Sequence, residues 1–188
     1  MEKLQFGSIA GIDEAGRGCL AGPVVIACVS LDYTAQIPGI NDSKLLSAHA
    51  REIIYEHLID TALSYNIICI DASTIDQINI RQASIRGFQE ASRLHNTAVD
   101  HFLIDGRDLP LDLVDKARAV IKGDQIHACI AAASILAKVH RDRLMQDYDR
   151  LYPHYGFAQH KGYGTIAHYA ALRKYGACPL HRKSFRLS

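Results

Sequence analysis

Residues 7–30, GSIAGIDEAGRGCLAGPVVIACVS, decide the fold because two apolar runs flank a glycine-rich turn there. Short apolar runs bounded by glycine and proline predict neighbouring buried strands, which we place at Ile9–Ile12 and Val24–Val29. Asp13 and Glu14 follow the first run directly, and an arginine lies in the turn. Burying charged groups costs free energy, so a functional site is expected at the tip of this strand.

Strand and helix patterns alternate along the rest of the chain. Ser47 has the residue type of a helix N-cap, and apolar residues recur at helical spacing after it as far as Leu63. Further strands are predicted at 66–70, 101–105 and 117–121, and further helices at 80–96, 129–152 and 165–175. This order predicts an α/β domain with a mixed β-sheet flanked by helices. We expect one functional domain, with a core over 1–150 and a small basic helical extension over 151–188 packed on it.

The totals indicate one globular domain. The chain has 188 residues, which is long enough for one hydrophobic core. No apolar run approaches the ~20 residues that span a bilayer, and the N-terminus lacks a signal-peptide pattern. We therefore expect a cytoplasmic protein with no membrane contact. The five cysteines are odd in number and form no CxxC pair, which disfavours a disulfide framework and a cysteine zinc site.

Charge is unevenly distributed, although the formal net charge is only +1. Residues 151–188 contain no Asp or Glu but six basic residues: Lys161, Arg173, Lys174, Arg182, Lys183 and Arg186. A basic segment on an acidic body favours a polyanionic partner, with a solvated surface helix as the alternative. Tyr152 and Tyr163 lie among these cations and can stack on nucleic-acid bases. We expect His160 and His181 to be surface or phosphate-contacting groups.

Three of the predicted strands end in carboxylates: Asp13 with Glu14, then Asp105, then Asp124. If these strands are neighbours that end at one edge, the four acids converge, and sites in α/β sheets gather at strand ends. Clustered carboxylates repel one another, whereas hard divalent cations such as Mg²⁺ or Mn²⁺ prefer oxygen ligands. Two such ions can assist in-line attack on a phosphodiester. Because successive strand residues point to opposite faces, Asp13 and Glu14 share a site only if the strand bends at the glycines.

Two less specific interpretations stay open at this point. A single Asp after a strand is most often a turn or cap residue. The glycines of GIDEAGRG also have the spacing of a loose phosphate-binding loop, but Cys19 and Leu20 stand where such a loop has Lys-Ser/Thr. Two acids inside the loop would repel a triphosphate, although backbone amides at Gly16–Gly18 can still bind a sugar or phosphate of a polymer.

Six motifs in series resemble one enzyme family. In chain order they are GIDEAGRGCLAGPVV, NDSKLLS, FLIDG, KGD, AAASILAKVHRDRLM and HKGYGT, and the match runs from Ile9 to about Phe185. Together they are similar to bacterial ribonuclease HII, a type 2 ribonuclease H. The resemblance implies a ribonuclease H-like sheet and an endoribonuclease that cleaves the RNA strand of RNA–DNA hybrids. It also implies nicking 5′ to ribonucleotides embedded in duplex DNA, with two Mg²⁺ or Mn²⁺ ions, to give 5′-phosphate and 3′-hydroxyl ends.

The resemblance also implies roles for individual residues. The four strand-end acids named above match the family's catalytic, metal-binding acids. Gly16, Arg17 and Gly18 match the turn that contacts the 2′-hydroxyl, which is the group that distinguishes RNA from DNA. Tyr163 matches the tyrosine that packs on the next, deoxy, sugar, and Lys44 matches a lysine near the scissile phosphate. We expect a monomer.

Two other functions compete with this one. A nuclease or resolvase of the same fold that acts on DNA would carry similar strand-end carboxylates, and the 2′-hydroxyl reader would distinguish the two. A non-catalytic hybrid-binding module is the other alternative. Four intact acids argue against that module, because uncompensated carboxylates repel a phosphate backbone.

Overall fold

The computed structural model describes residues 8–32, 40 and 46–188, and a five-stranded mixed sheet lies at its centre. The strands are β1 (Ile9–Ala15), β2 (Val24–Ser30), β3 (Ser64–Ile70), β4 (His101–Asp105) and β5 (Ala117–Val120). Their order in the sheet is β3-β2-β1-β4-β5. β1 pairs antiparallel with β2 and parallel with β4, and β5 extends the parallel side. The predicted α/β fold with a mixed sheet is confirmed.

In the part of the chain that the structure describes, five α-helices accompany the sheet: α1 (Ala48–Thr61), α2 (Ala72–Arg93), α3 (Ala128–Leu151), α4 (Phe157–His160) and α5 (Ile166–Tyr175). α1 and α3 cover one face, and α2 covers the other. The Ser47 hydroxyl accepts a hydrogen bond from the Ala50 N–H at 3.1 Å, as predicted for a cap. α2 begins earlier than predicted because Asp71 caps it, and Asn79 with φ 66° interrupts it. Within the described ranges, no helix combines the length and the apolar character that crossing a membrane requires.

α3 crosses β1 at close range. Ala131, Ala132 and Ala133 are buried on α3, and a Cβ added at Gly11 would lie 2.2 Å from the backbone carbonyl carbon of Cys129. Only a residue without a side chain fits at position 11. This contact fixes the distance of α3 from the strand that carries Asp13.

The parallel half of the sheet places three strand ends at one edge. β1, β4 and β5 are adjacent and run in the same direction, so their carboxyl ends lie side by side. Asp13 and Glu14 are near the end of β1, Asp105 ends β4, and Asp124 follows β5 in a short 3₁₀ helix over Gly123–Gln125. The shared edge that the acid pattern predicted is therefore present.

The C-terminal segment packs against the glycine turn through Arg182. This side chain is fully buried, and it donates hydrogen bonds to the carbonyls of Gly16 (2.7 Å), Arg17 (2.9 Å) and Gly22 (3.0 Å). The sequence pattern had placed it among the tail cations that face a polyanion, and for this residue the prediction is wrong. A row of basic residues has the same pattern whether its members point outward or bind buried carbonyls.

Arg182→Met should lower the free energy of unfolding by at least about 3 kcal/mol, because three buried carbonyls lose a donor at roughly 1–3 kcal/mol each. Lys183→Met, at the exposed neighbouring position, is the matched control and should change it by less than about 0.5 kcal/mol. Urea denaturation of both variants measures the difference. Equal effects at the two positions would show that the Arg182 contacts do not stabilise the fold.

Candidate active site

Asp13 and Glu14 lie inside β1 rather than after it. β1 pairs with β2 as far as Ala15, with Asp13 opposite Ala27 and Glu14 opposite Ile26. A bend was the stated condition for the two acids to share a site, yet the pairing continues through both, and Asp105 is still a charged neighbour of each. Asp13 lies on the face of the sheet that α3 covers. Because side chains alternate along a strand, the Cβ of Glu14 points to the opposite face.

The two carboxylates are costly to bury, and the charge of Asp105 raises the pKa of both. Asp13 is 6% exposed, and burial raises its pKa well above the usual value, with the charges of Glu14 and Asp105 adding to the effect. A hydrogen bond from Ser134 on α3 opposes that rise. Burial also raises the pKa of Glu14, although Arg17 partly offsets it. The edge therefore concentrates negative charge where solvent does not screen it.

Asp105 and Asp124 are joined through the backbone between them. One carboxylate oxygen of Asp105 accepts a hydrogen bond from the Gly123 N–H at 2.7 Å. Asp124, the next residue, is 3% exposed. The short 3₁₀ helix after β5 thus ties the end of β4 to the segment that carries Asp124.

The carboxylate oxygens at this edge are ligands of the type that a hard divalent cation prefers. Among residues 8–32, 40 and 46–188, no group of three or more His, Cys, Asp or Glu side chains is arranged to hold a metal ion. Glu14 Oε1 is engaged by Arg17 Nη1 at 3.3 Å, and the Gly123 N–H engages Asp105. Glu14 Oε2, however, is buried with no hydrogen-bond partner in the described structure. A buried, unsatisfied carboxylate oxygen beside Asp13 fits an oxygen-binding cation; coordination by all four acids stays a prediction.

The glycine turn next to the acids is shaped by Arg141 of α3. Gly16 has φ +90°, and a Cβ there would lie 1.9 Å from Arg141 Nε. The Arg141 guanidinium is buried and donates to the carbonyls of Pro23 (3.0 Å), Ala21 (3.0 Å) and Lys161 (2.8 Å). One side chain therefore connects the turn to the loop that precedes Tyr163, a link that the sequence pattern did not reveal.

A cavity of about 450 Å³ lies between Glu14, the turn and Tyr163. Its lining residues are Glu14, Ala15, Gly16, Arg17, Gly18, Arg51, Ser134, Ile135, Lys138 and Tyr163. Tyr163 is 44% exposed, and its ring centre is 6.0 Å from both Lys138 Nζ and the Arg141 guanidinium carbon. The structure thus brings together the predicted turn, Tyr163 and Glu14. Lys44 lies outside the described residues.

Arg17 is held between two acids. Its guanidinium is 3.3 Å from Glu14 Oε1 and 2.7 Å from Asp108 Oδ2, and Arg81 bonds the other oxygen of Asp108 at 2.8 Å. Sequence reasoning missed Asp108 and also Arg51, which α1 brings to the cavity. Asp108 follows Asp105 closely in the chain, but nothing in the local pattern indicates that it pairs with position 17.

A mixed sheet with buried carboxylates at its parallel edge defines the class of ribonuclease H-like nucleases. The solved ribonuclease H2 from Pyrococcus horikoshii OT3 has this fold, with a TM-score of 0.82 at 26% identity over 96% of this chain and 95% of that one. The family model described as Ribonuclease HII matches residues 10–188. The chain therefore belongs to the ribonuclease HII family, whose members are metal-dependent endoribonucleases that cleave the RNA strand of RNA–DNA hybrids and nick DNA at ribonucleotides.

Individual relatives agree with this assignment. The ribonuclease HII of Ruminiclostridium cellulolyticum is 53% identical over 96% of this chain and 70% of its own length. That of Geobacter metallireducens is 49% identical over 96% of this chain and 84% of its own length. The resemblance inferred from six motifs is confirmed, and with it the prediction of an enzyme. The alternative of a non-catalytic hybrid-binding module is correspondingly disfavoured.

Gly16→Ala should destabilise the protein by about 1–3 kcal/mol, because the methyl group meets Arg141 and the backbone is left-handed there. Gly18→Ala is the matched control in the same turn, since a Cβ at Gly18 meets no described atom within 4 Å. Thermal unfolding of both variants measures the effect. A Gly16 variant as stable as the Gly18 variant would show that Arg141 does not fix the turn.

Proposed function

We propose that this chain nicks duplex DNA 5′ to embedded ribonucleotides and cleaves the RNA strand of hybrids at the cavity described above. We further propose that Asp13, Glu14, Asp105 and Asp124 hold two Mg²⁺ or Mn²⁺ ions. The observation that carries the proposal is the pair of buried carboxylates in β1, whose pKa values are raised by burial beside a third acid. Charge concentrated in this way is stabilised by hard cations.

In this proposal the carboxylates bind the ions, and cationic side chains of the cavity orient the substrate. The sheet edge keeps the carboxylates at fixed positions, and Ser134 interacts with Asp13 in a way that lowers the pKa of this acid and so favours its charged form. Ions bound there would supply Lewis acidity for activating a water and stabilising a leaving oxygen. Arg51 and Lys138 line the cavity and supply positive charge for the neighbouring phosphates. Cleavage on the 5′ side of the ribonucleotide phosphate then leaves a 3′-hydroxyl and a 5′-phosphate.

Substrate recognition is assigned to the turn and to Tyr163. Backbone groups of Gly16, Arg17 and Gly18 can approach a ribose closely, because Gly18 leaves open space and Gly16 carries no side chain. A 2′-hydroxyl both donates and accepts, so peptide groups can read it. The half-exposed ring of Tyr163 offers a flat surface to the following deoxyribose, where an added hydroxyl would crowd it. A contact from Lys44 to the scissile phosphate remains part of the proposal.

The remaining expectations stand as proposals of the same kind. We infer one functional domain, with residues 1–150 as the catalytic core and 151–188 as an extension packed on it. The hydrogen bonds from Arg182 to the turn support the packing of this extension on the core. We propose that the protein acts in the cytoplasm and as a monomer.

Asp13→Asn should lower cleavage by at least ~10³-fold while substrate binding stays equal or becomes tighter. Neutralising this acid weakens the hold on the ions and also lessens repulsion of phosphate. In chelator the variant should be at least as stable as the wild type, since a buried charge has gone, and its melting temperature should no longer rise on adding Mg²⁺.

Asp147→Asn is the matched control for this test. Asp147 is an exposed acid on α3 that pairs with Arg150 at 3.1 Å. It should retain wild-type cleavage and the Mg²⁺-dependent rise in melting temperature. If Asp13→Asn keeps more than a tenth of the activity at saturating Mg²⁺, Asp13 is not a ligand.

Tyr163→Ala should reduce cleavage at a single ribonucleotide in DNA by ten- to a hundred-fold, or roughly 1.4–2.7 kcal/mol at the barrier. The ring positions the deoxyribose, so the loss appears in kcat as well as in KM. Tyr163→Phe keeps the ring and should keep most of this activity. Cleavage within a continuous hybrid should suffer less, because no deoxyribose follows the cut there.

Tyr175→Ala is the control for loss of a half-exposed ring outside the cavity. Tyr175 ends α5 and is 45% exposed. Its removal should leave the ratio of the two activities unchanged. Equal losses on both substrates for Tyr163→Ala, together with a lower melting temperature, would reject the junction-sensing role.

A further inference from the structure

Three histidines pack together beneath the loop that carries Tyr163. His168 of α5 and His181 of the C-terminal segment are 0% and 1% exposed, and the ring of His160 stacks on His168 with centroids 4.4 Å apart. His181 was expected to be a surface or phosphate-contacting group, and its burial shows that this expectation is wrong. Its neighbours include the rings of Phe157 and Tyr155.

The hydrogen bonds of this cluster have one consistent direction. The Cys178 N–H donates to His181 Nδ1 at 3.0 Å, so Nε2 of His181 carries the proton. That Nε2 lies 3.0 Å from Nε2 of His168, which therefore accepts. His168 is then protonated at Nδ1, and it donates to the carbonyl oxygen of Tyr163 at 2.9 Å. Because a carbonyl oxygen can only accept, the bond to Tyr163 requires the same His168 tautomer as the bond from Cys178 implies.

The opposite direction fails on geometry. His181 Nδ1 is also 3.3 Å from the Cys178 carbonyl, to which it could donate in the other tautomer. Two unprotonated Nε2 atoms would then face each other at 3.0 Å, or His168 would lose its donor to Tyr163. Both imidazoles are therefore neutral, and burial supports this by lowering the pKa of His168 to about 4 and that of His181 below its usual value.

The backbone around Tyr163 has separate supports on each side. Arg141 binds the Lys161 carbonyl, and the Leu20 N–H donates to the Gly162 carbonyl at 2.8 Å. The Gly162 N–H in turn donates to His160 Nδ1 at 3.2 Å. The Tyr163 carbonyl accepts two hydrogen bonds, from the Thr165 N–H at 2.9 Å and from His168 Nδ1 at 2.9 Å. His168 is the side-chain donor of the two, and together with the Thr165 N–H it restrains the rotation of the peptide that follows Tyr163.

We infer that His168, oriented by His181, is a positioning residue that sets the Tyr163 ring for the deoxyribose and so determines the preference for DNA–ribonucleotide junctions over continuous hybrids. The inference rests on the proposed role of Tyr163. His168 does not touch substrate, and its effect is transmitted through one peptide group.

The test compares two replacements at the same position. His168→Asn keeps an N–H donor near the place of Nδ1, whereas His168→Leu fills similar space without a donor. We expect His168→Leu to lower the ratio of kcat/KM for a single-ribonucleotide duplex to that for a continuous hybrid by about five- to tenfold, with most of the change in kcat. His168→Asn should restore the ratio to within about twofold of wild type, even if its melting temperature is no higher than that of the Leu variant.

Further variants separate the possible outcomes. His154→Leu, at an exposed histidine stacked on Tyr175, is the control and should leave the ratio unchanged. If His168→Leu does not fold, His181→Asn serves instead, because its amide oxygen still accepts from Cys178 but cannot reach His168; it should shift the ratio in the same direction. Equal losses on both substrates, or an unchanged ratio, would overturn the inference. If neither Tyr163→Ala nor His168→Leu changes the ratio of kcat/KM between the two substrates, the proposed role of Tyr163 fails. If Tyr163→Ala changes this ratio and His168→Leu does not, only the inference about His168 fails.

Discussion

Two buried arginines hold the substrate side of the molecule together. Arg141 and Arg182 each donate to three backbone carbonyls, in the glycine turn, in the segment after it and in the loop before Tyr163. A guanidinium has five donors in one rigid plane, so a single side chain fixes several peptides at once. Gly16 is required because a methyl group would occupy the space of Arg141. The shape of the proposed sugar-reading turn thus depends on cations buried behind it.

Charge on the other side of the turn is balanced differently. Asp13 and Glu14 are buried beside Asp105, and Arg17 is the cation that reaches Glu14. Asp108 holds the same guanidinium more closely, at 2.7 Å against 3.3 Å. If Glu14 held a divalent ion, that ion would compete with Arg17 for the carboxylate, and Asp108 would still hold the guanidinium. Asp108 keeps that positive charge at the rim of the cavity, where a phosphate backbone would pass.

Local pattern predicted most of the strands and helices and the strand-end positions of the acids, but not the residues that these side chains contact. Ser47 capped its helix as predicted, and Asp105 was found because a short apolar run ends on it. The strand order could not be predicted, since the pairing of β1 with β4 joins residues about ninety positions apart and leaves no periodic signal. Arg182 was misassigned for the same reason: its acceptors Gly16 and Arg17 lie at the other end of the chain. Composition alone predicted the wrong location for polar residues that pack in the interior, such as Arg182 and His181.

The groups proposed for catalysis and those proposed for substrate selection therefore rest on different kinds of structure. Asp13, Glu14 and Asp105 lie on adjacent strands whose register is fixed by the sheet, and Asp124 lies in the short 3₁₀ helix after β5. α3 packs against this sheet at Gly11. Tyr163 and the glycine turn stand on loops, and their geometry comes from side-chain hydrogen bonds to backbone carbonyls. A sheet edge tolerates little movement, whereas a loop held by a few such bonds can be altered by changing one of them. Substitution of the side chains that hold these loops should consequently change the preference between junctions and continuous hybrids more than it lowers overall cleavage.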